Sequence, residues 1–316
     1  MKKIEKKEIA VLIPAYNEEL TIEKVVNDFK AELPEAEIYV YNNNSKDNTA
    51  ELAKKAGAIV VDEYQQGKGN VVRSMFQDID ADAYVMVDAD DTYPADEVHK
   101  LLEPVLNGKA DMVIGDRLSS TYYTENKRPF HNFGNNLVRN LVNFLFKSHI
   151  HDIMTGYRVF SKKFVKCMPV MSDGFQIETE MTVFSLVYHM NIVEIPVQYR
   201  DRPEGSFSKL NTYKDGARVL IKLFDLLKDN RPFMFFGIIG LLLLIISLII
   251  YIPISAGYGL IYALMYFPSR SVWAVVLFTW SVVMFMIGII MDAIKNTKQY
   301  EFMAHIDQVV ESLKRK

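Results

Sequence analysis

The chain has 316 residues, half of them hydrophobic, with a net charge of −3 and one cysteine. That length fits one large domain or two ordinary ones, and the interspersed Lys, Arg, Asp and Glu leave no basic block for nucleic acid. The single Cys167 excludes an intrachain disulfide, suits a reducing compartment, and reads as a small buried side chain.

The charged start, Met1–Glu8, is followed by only a short apolar run. A signal peptide needs a longer apolar core and a small-residue cleavage site, so the N-terminal domain is expected to stay in the cytoplasm. From there the chain alternates short β-rich runs with helical patterns. Strands are predicted at Ile9–Ile13, Glu37–Tyr41, Ile59–Asp62, Tyr84–Val87, Met112–Ile114 and Ile192–Gln198. Helices are predicted at Leu20–Glu32, Thr49–Ala56, Asn70–Asp78 and Asp96–Leu106. This rhythm predicts an α/β domain over residues 1–212, with a mostly parallel sheet covered by helices on both faces. Ligands in such sheets bind outside the carboxyl ends of the strands.

Polar clusters fall at those ends. The first strand runs into Pro14-Ala-Tyr-Asn-Glu18, the second into Asn42-Asn-Asn-Ser-Lys-Asp-Asn-Thr49, and the fourth into Asp88-Ala-Asp90. Any one of them is an ordinary capped turn. Three on one sheet edge make a polar crevice. Alternate carboxylates at Asp88 and Asp90 suit one hard cation, Mg2+ or Mn2+, that also holds a diphosphate.

The C-terminal third differs in kind. From Pro232 to Met291 the only charge is Arg270. Two spans of bilayer-crossing length are predicted at about 233–254 and 272–291, within 232–292. Lys222, Lys228 and Arg231 precede the first span, and Lys295 and Lys298 follow the second, so both termini are expected in the cytoplasm. Gly257–Phe267 is expected to form a short external loop, with Tyr258, Tyr262 and Tyr266 at interfacial depth. Residues 213–231 read as an amphipathic helix, on the membrane surface or packed on the domain. Residues 293–316 read as a cytoplasmic helix.

The strand-end motifs, with Gly67-Lys-Gly69, Gly115-Asp-Arg117, Asp152-Ile-Met-Thr-Gly-Tyr-Arg158 and Tyr199–Leu210, make residues Ile9 to Leu210 resemble glycosyltransferase family 2. They are similar to the subgroup that glycosylates polyprenyl phosphates, such as dolichol-phosphate mannose synthases and bactoprenol glucosyltransferases. The resemblance implies a Rossmann-like GT-A fold followed by a two-helix transmembrane hairpin. It implies that Pro14, Ala15, Tyr16, Glu18, Asn42, Asn43, Lys68, Asp88, Ala89, Asp90, Arg202 and Lys209 line the nucleotide-sugar site. Asn42 and Asn43 stand where many members have an Asp pair at the base or ribose, and an amide still reads a uracil edge. Asp88 and Asp90 are implied to hold the metal. Thr92 replaces a frequent Gln, so water completes that shell. Arg117, Arg128 and Asn132 are implied to hold the acceptor phosphate. Asp152 is implied in positioning; Glu178 and Glu180 either open a helix as solvated acids or touch substrate.

The reaction so implied is an inverting in-line transfer of a hexose to undecaprenyl or another polyprenyl phosphate. UDP-glucose or UDP-N-acetylglucosamine is favoured as donor over GDP-mannose. Arg202–Leu210 is expected to order over the bound donor. The product is a lipid-linked sugar for cell-envelope glycans, made by a multi-pass membrane protein that forms a homo-oligomer, a tetramer by analogy with bacterial relatives. A processive polysaccharide synthase is disfavoured because no Gln-x-x-Arg-Trp motif is present. A non-catalytic sugar-nucleotide sensor predicts decay of the metal and phosphate positions, which are all present.

Overall fold

The computed structural model describes residues 8–119, 129–203, 205, 221, 224–225, 227–266 and 268–315, without the side chains of 129–134, 253–266 and 268. The chain divides into two compact units: Met1–Leu220 with His305–Lys316, and Ile221–Ala304.

The first unit runs β1 (Ile9–Ala15), α1 (Ile22–Glu32), β2 (Glu37–Asn42), α2 (Thr49–Lys55), β3 (Ile59–Asp62), α3 (Lys68–Asp78) and β4 (Ala83–Met86). It continues through α4 (Val98–Leu106), β5 (Met112–Asp116), α5 (Pro129–Phe146), β6 (Arg158–Ser161), α6 (Lys162–Cys167), α7 (Ile177–Val187) and β7 (Ile192–Pro196). The seven strands form one sheet in the order β3-β2-β1-β4-β6-β5-β7. β3, β2, β1 and β4 pair in parallel, β6 is antiparallel to both β4 and β5, and β7 is parallel to β5. The sequence reading has no strand at Arg158–Ser161. That run, Arg-Val-Phe-Ser, holds only two apolar residues between an arginine and a serine, so it does not stand out as a β-rich run.

The central strands are buried on both faces, as a helix-covered sheet requires. Val11, Ile13, Val85, Val87, Val113 and Val159 meet Val25, Val26 and Phe29 of α1 and Val98, Leu101 and Leu102 of α4. On the other face Phe160 stacks on Phe164 at 4.8 Å, and Phe76 of α3 meets both rings edge-on. Cys167 is a buried free thiol.

The second unit holds α8 (Pro232–Tyr266), of 35 residues, and most of the 48-residue α9 (Pro268–Arg315). Both are long and apolar enough to cross a membrane. They run antiparallel: the Ser247 hydroxyl donates to the Ala274 carbonyl and the Ser281 hydroxyl to the Gly240 carbonyl, each at 2.8 Å. Large apolar side chains such as Leu242, Ile249, Trp273 and Trp280 stay exposed outside that seam.

Two expectations are corrected here. The segment expected as an external loop from Gly257 is helical through Tyr266. Its residues are almost all apolar, and a helix satisfies its own backbone where water cannot, so glycines there need not break it. The tail expected as a separate helix over 293–316 continues α9 without interruption. No Gly or Pro occurs after Gly288 to stop it. Of the expected 213–231 helix, Ile221, Phe224, Asp225 and Leu227–Asn230 are described and helical, with Ile221 and Phe224 exposed. Ile306 is buried, and His305–Lys316 group with the first unit.

Removing the buried Phe160 ring in Phe160→Ala is expected to cost about 3–5 kcal/mol through the cavity it leaves. Urea unfolding of the full-length chain in detergent, followed by circular dichroism, should show a clearly lowered midpoint.

Candidate active site

Parallel pairing sends the carboxyl ends of β1, β2, β4 and β5 to one edge, and antiparallel β6 begins there. The Asp152–Tyr157 segment therefore lies beside the Asp88 and Asp116 turns. Three turns on this edge contain left-handed residues: Asn17 at φ 53°, Asn44 at 61° and Asp91 at 58°. Asn and Asp tolerate that conformation better than other side chains. The first two turns are laced together. Ser45 Oγ accepts from Asn17 N–H at 3.0 Å, Thr49 Oγ1 from Glu18 N–H at 2.8 Å, and Asn17 Oδ1 from Lys46 N–H at 2.7 Å. Thr21 Oγ1 ties the third by donating to the Ala89 carbonyl at 2.6 Å. The Asn-Ser-x-Asp-x-Thr motif thus sets the crevice walls.

At the centre two carboxylates are each held by a shared cation. Lys68 Nζ lies 2.5 Å from Asp88 Oδ1 and 2.6 Å from Glu178 Oε1. Arg202 Nη2 lies 2.5 Å from Asp90 Oδ2, and its Nη1 3.3 Å from Glu18 Oε1. Asp90 Oδ1 also accepts from the Thr92 hydroxyl at 2.6 Å. Burial pushes Asp88 up, but Lys68, Arg202 and Arg117 outweigh it and hold the carboxyl below its usual range. Burial and the charge of Asp88 push Asp90 above that range, against Arg202 and Thr92. Burial would depress Lys68, yet its two carboxylate partners hold it well above an ordinary lysine.

Glycines make these approaches possible. A Cβ on Gly156 would sit 2.1 Å from Asp88 Oδ2, and one on Gly69 would sit 2.0 Å from the Ser172 carbonyl oxygen. Gly67 has φ +134°, and its Cβ would meet the Asp173 carbonyl oxygen at 2.1 Å. Lys68 therefore enters the site between two residues that need no side chain.

Arg117 forms the other wall. Its Nε donates to Asp152 Oδ2 at 2.9 Å and its Nη2 to the Met154 carbonyl at 3.2 Å. Its guanidinium carbon lies 5.8 Å from the centre of the Tyr199 ring. Burial pushes the Asp152 carboxyl up; Arg117 opposes this and Asp116 adds to it, leaving the group raised. The Tyr93 hydroxyl oxygen accepts from Gly156 N–H and from Thr155 Oγ1, both at 3.2 Å, and fixes the backbone beneath Asp88.

The edge gathers most of the expected residues: Pro14, Ala15, Tyr16 and Glu18 at and beyond the end of β1, Asn42 and Asn43 at the end of β2, then Lys68, Asp88, Ala89, Asp90, Arg117, Asp152 and Arg202. Arg128 and Lys209 lie outside the described residues, as does the Asn132 side chain. Asn43 is revised as a base reader. Its amide donates to the Glu63 and Gln65 carbonyls and accepts from Gln66 Nε2 and Gly67 N–H, which uses all four of its positions. Asn42 is half-buried and bonded to Asp62. Glu178 and Glu180 are buried and not solvated helix openers. Glu180 accepts from the Met171 and Ser172 N–H groups. Arg158 is fully buried, donates to the Ile153 and Thr155 carbonyls, and is pushed down to about 10 by burial. It is a strut. Sequence reasoning missed the ties made by Tyr93 and Glu178, because each joins segments far apart in the chain.

Asp88 and Asp90 offer hard carboxylate oxygens, which fit Mg2+ or Mn2+. Among the described residues no three His, Cys, Asp or Glu side chains form a metal cage. Substrate oxygens and water would complete a shell there.

A mostly parallel sheet with a D-x-D turn at its carboxyl edge, flanked by cations, defines a GT-A glycosyltransferase. Residues 10–168 match glycosyl transferase family 2, and the chain belongs to that family. It is 36% identical over 233 residues to the glycosyltransferase AglJ of Haloferax volcanii, covering 73% of this chain and 76% of the relative. It is 30% identical to the dolichyl-phosphate hexose transferase of the same organism, covering 67% of this chain and 90% of that one. In fold it matches glucosyl-3-phosphoglycerate synthase of Mycobacterium tuberculosis, solved with Mn2+, UDP and glucosyl-3-phosphoglycerate. That likeness has a TM-score of 0.58 at 21% identity, over 69% of this chain and 79% of the other. The chain is therefore a transferase, and the non-catalytic sensor is set aside.

Gly156→Ala should displace the Asp88 carboxylate and lower turnover by about 100-fold or more, as misplacement at a reacting centre does; near-normal kcat would contradict the packing. Asp90 carries the opposite sign for stability. Its folded pKa is raised, so its ionised form costs stability as pH rises above the unfolded value. Asp90→Asn is therefore expected to melt at or above the wild-type temperature at pH 7, measured by circular dichroism in detergent.

Proposed function

We propose that the protein transfers a hexose, with inversion, from a nucleotide sugar to undecaprenyl or another polyprenyl phosphate at the cytoplasmic face of a membrane. The favoured donors are UDP-glucose and UDP-N-acetylglucosamine. The observation that carries this reading is the meeting of Asp88, Asp90, Lys68, Arg117 and Arg202 on one sheet edge, in a chain with two helices of membrane-crossing length. The name of the dolichyl-phosphate hexose transferase relative supports a lipid phosphate acceptor. The UDP bound by the fold neighbour supports a uridine donor.

In this reading Tyr16, Glu18 and Asn42, with the backbone of Pro14, Ala15 and Ala89, line the nucleotide, and Asp90 with Asp88 holds Mg2+ or Mn2+. When bound, that cation neutralises charge on the departing nucleoside diphosphate. Arg202 and Lys209 bring further positive charge to the leaving group. Arg117, Arg128 and Asn132 hold the acceptor phosphate, and Asp152 fixes the Arg117 guanidinium through its Nε. A phosphate monoester has a second pKa of about 6, so it is largely ionised at neutral pH. Its oxygen attacks the anomeric carbon as the bond to the diphosphate breaks on the opposite face. No general base is needed, which agrees with a buried Asp152 already engaged by Arg117. The lipid-linked sugar then serves cell-envelope glycans, and a homo-oligomer is proposed with it.

Full-length protein, magnesium and undecaprenyl phosphate should turn over one of UDP-glucose, UDP-N-acetylglucosamine and GDP-mannose in a radiolabel transfer panel. A uridine donor is expected; exclusive use of GDP-mannose would redirect the donor assignment. Asp90→Asn should lose at least about 100-fold in kcat while still fractionating with membranes.

A further inference from the structure

We propose that Glu178 is a positioning residue for the Asp88 carboxylate and acts through Lys68. This rests on the metal-assisted transfer proposed above. Three distant segments meet here: the start of α3, the turn after β4 and the first turn of α7. The Lys68 ammonium lies 2.5 Å from Asp88 and 2.6 Å from Glu178. The Lys68 and Glu178 side chains are only 9% and 5% exposed, whereas Asp88 is 28% exposed and faces the crevice. An ammonium with one partner can swing about it. An ammonium between two carboxylates on separate elements has one position.

Asp88 is confined from the opposite side by Gly156, whose absent side chain leaves room for Oδ2 and nothing larger. Its carboxylate orientation therefore depends on where Lys68 stands, and Lys68 depends on Glu178. Glu178 also draws part of the ammonium charge away from Asp88, which leaves Asp88 freer to meet a divalent cation. A general-base role for Glu178 fits poorly, because its carboxylate is buried against Lys68 and an ionised phosphate needs no base. Glu180 cannot substitute, because its two oxygens are taken by the Met171 and Ser172 N–H groups.

The test uses full-length protein in detergent and Mn2+ itself as the probe, titrated by electron paramagnetic resonance, with Glu178→Gln, Lys68→Met and the double variant. Glu178→Gln should weaken Mn2+ binding by about 10- to 100-fold, as loss of an outer support of a metal ligand does. In the Lys68→Met background the same change should add nothing, because the route to Asp88 is already cut. Wild-type affinity in Glu178→Gln, or losses that multiply in the double variant, would overturn the proposal. Should Glu178→Gln alone fail to fold, judged by circular dichroism, the comparison of Lys68→Met with the double variant decides. Wild-type transfer is measured in the same preparations. Mn2+ binding without transfer would sink the functional reading alone, since the Mn2+ comparison reads the Asp88 geometry without turnover.

Discussion

Two like charges at Asp88 and Asp90, largely withdrawn from water on one strand end, are the constraint on which the catalytic unit depends. Isolated carboxylates in such a place neutralise or distort the fold. Here each has a cation, and each cation is shared with a second acid: Lys68 with Glu178, Arg202 with Glu18. The four partners come from four separate segments. The Gly67-Lys-Gly69 turn approaches the Ser172–Asp173 backbone so that Lys68 can reach inward, and Gly156 gives up its side chain to Asp88. These features make little sense as packing. They make sense as the means of keeping two acids ionisable and fixed.

The sheet supplies the rest. Parallel pairing places several turns side by side, and a parallel sheet must bury both faces, so polar chemistry is confined to its edge. The one antiparallel strand, β6, reverses direction and so delivers Asp152, Thr155 and Gly156 to the same edge. Tyr93 then links that segment to the D-x-D turn, while Tyr199 lies under Arg117. The donor-side acids and Arg117 thus share one buried aromatic and hydrogen-bonded support, which explains how residues far apart in the chain hold a common geometry.

The second unit answers a different demand. Ser247 and Ser281 are used within the hairpin, each hydroxyl donating to a carbonyl across the seam, and large apolar side chains such as Leu242 and Trp273 stay exposed. A water-soluble helix pair would bury those residues. A pair in lipid has no reason to, and gains from satisfying polar groups between its helices instead. The exposed leucines, isoleucines and tryptophans are therefore consistent with a hydrocarbon surround.

Much of the molecule was legible in order along the chain. Short β-rich runs marked six of the seven strands, glycines and amides marked the turns, and the stretch from Pro232 to Met291, with Arg270 its only charge, marked the apolar helices. The strand-end rule pointed to the turns at Pro14–Glu18, Asn42–Thr49 and Asp88–Asp90, while Lys68, Arg117, Asp152 and Arg202 followed from the family resemblance. What local pattern missed were relations between segments. Arg158–Ser161 is too polar at its ends to signal a strand, and only pairing with β4 and β5 makes it one. Asn43 looked like a base reader because its chemistry allows it, yet the loop after β3 takes all its hydrogen-bonding positions. Glu178 and Glu180 read equally as solvated helix openers or as substrate contacts, and only the fold shows both buried. The first long helix runs on past Pro253, Gly257 and Gly259 because a helix satisfies its own backbone in apolar surroundings, and the second runs on past Asp292 because neither Gly nor Pro follows to stop it. The sequence by itself determined the kind of fold and the acids at its centre, because periodicity and turn chemistry are properties of neighbours in the chain, and its motifs carried the family resemblance. Only the tertiary structure decided which cation holds which acid, because a buried ion pair is a contact between segments that the chain keeps far apart.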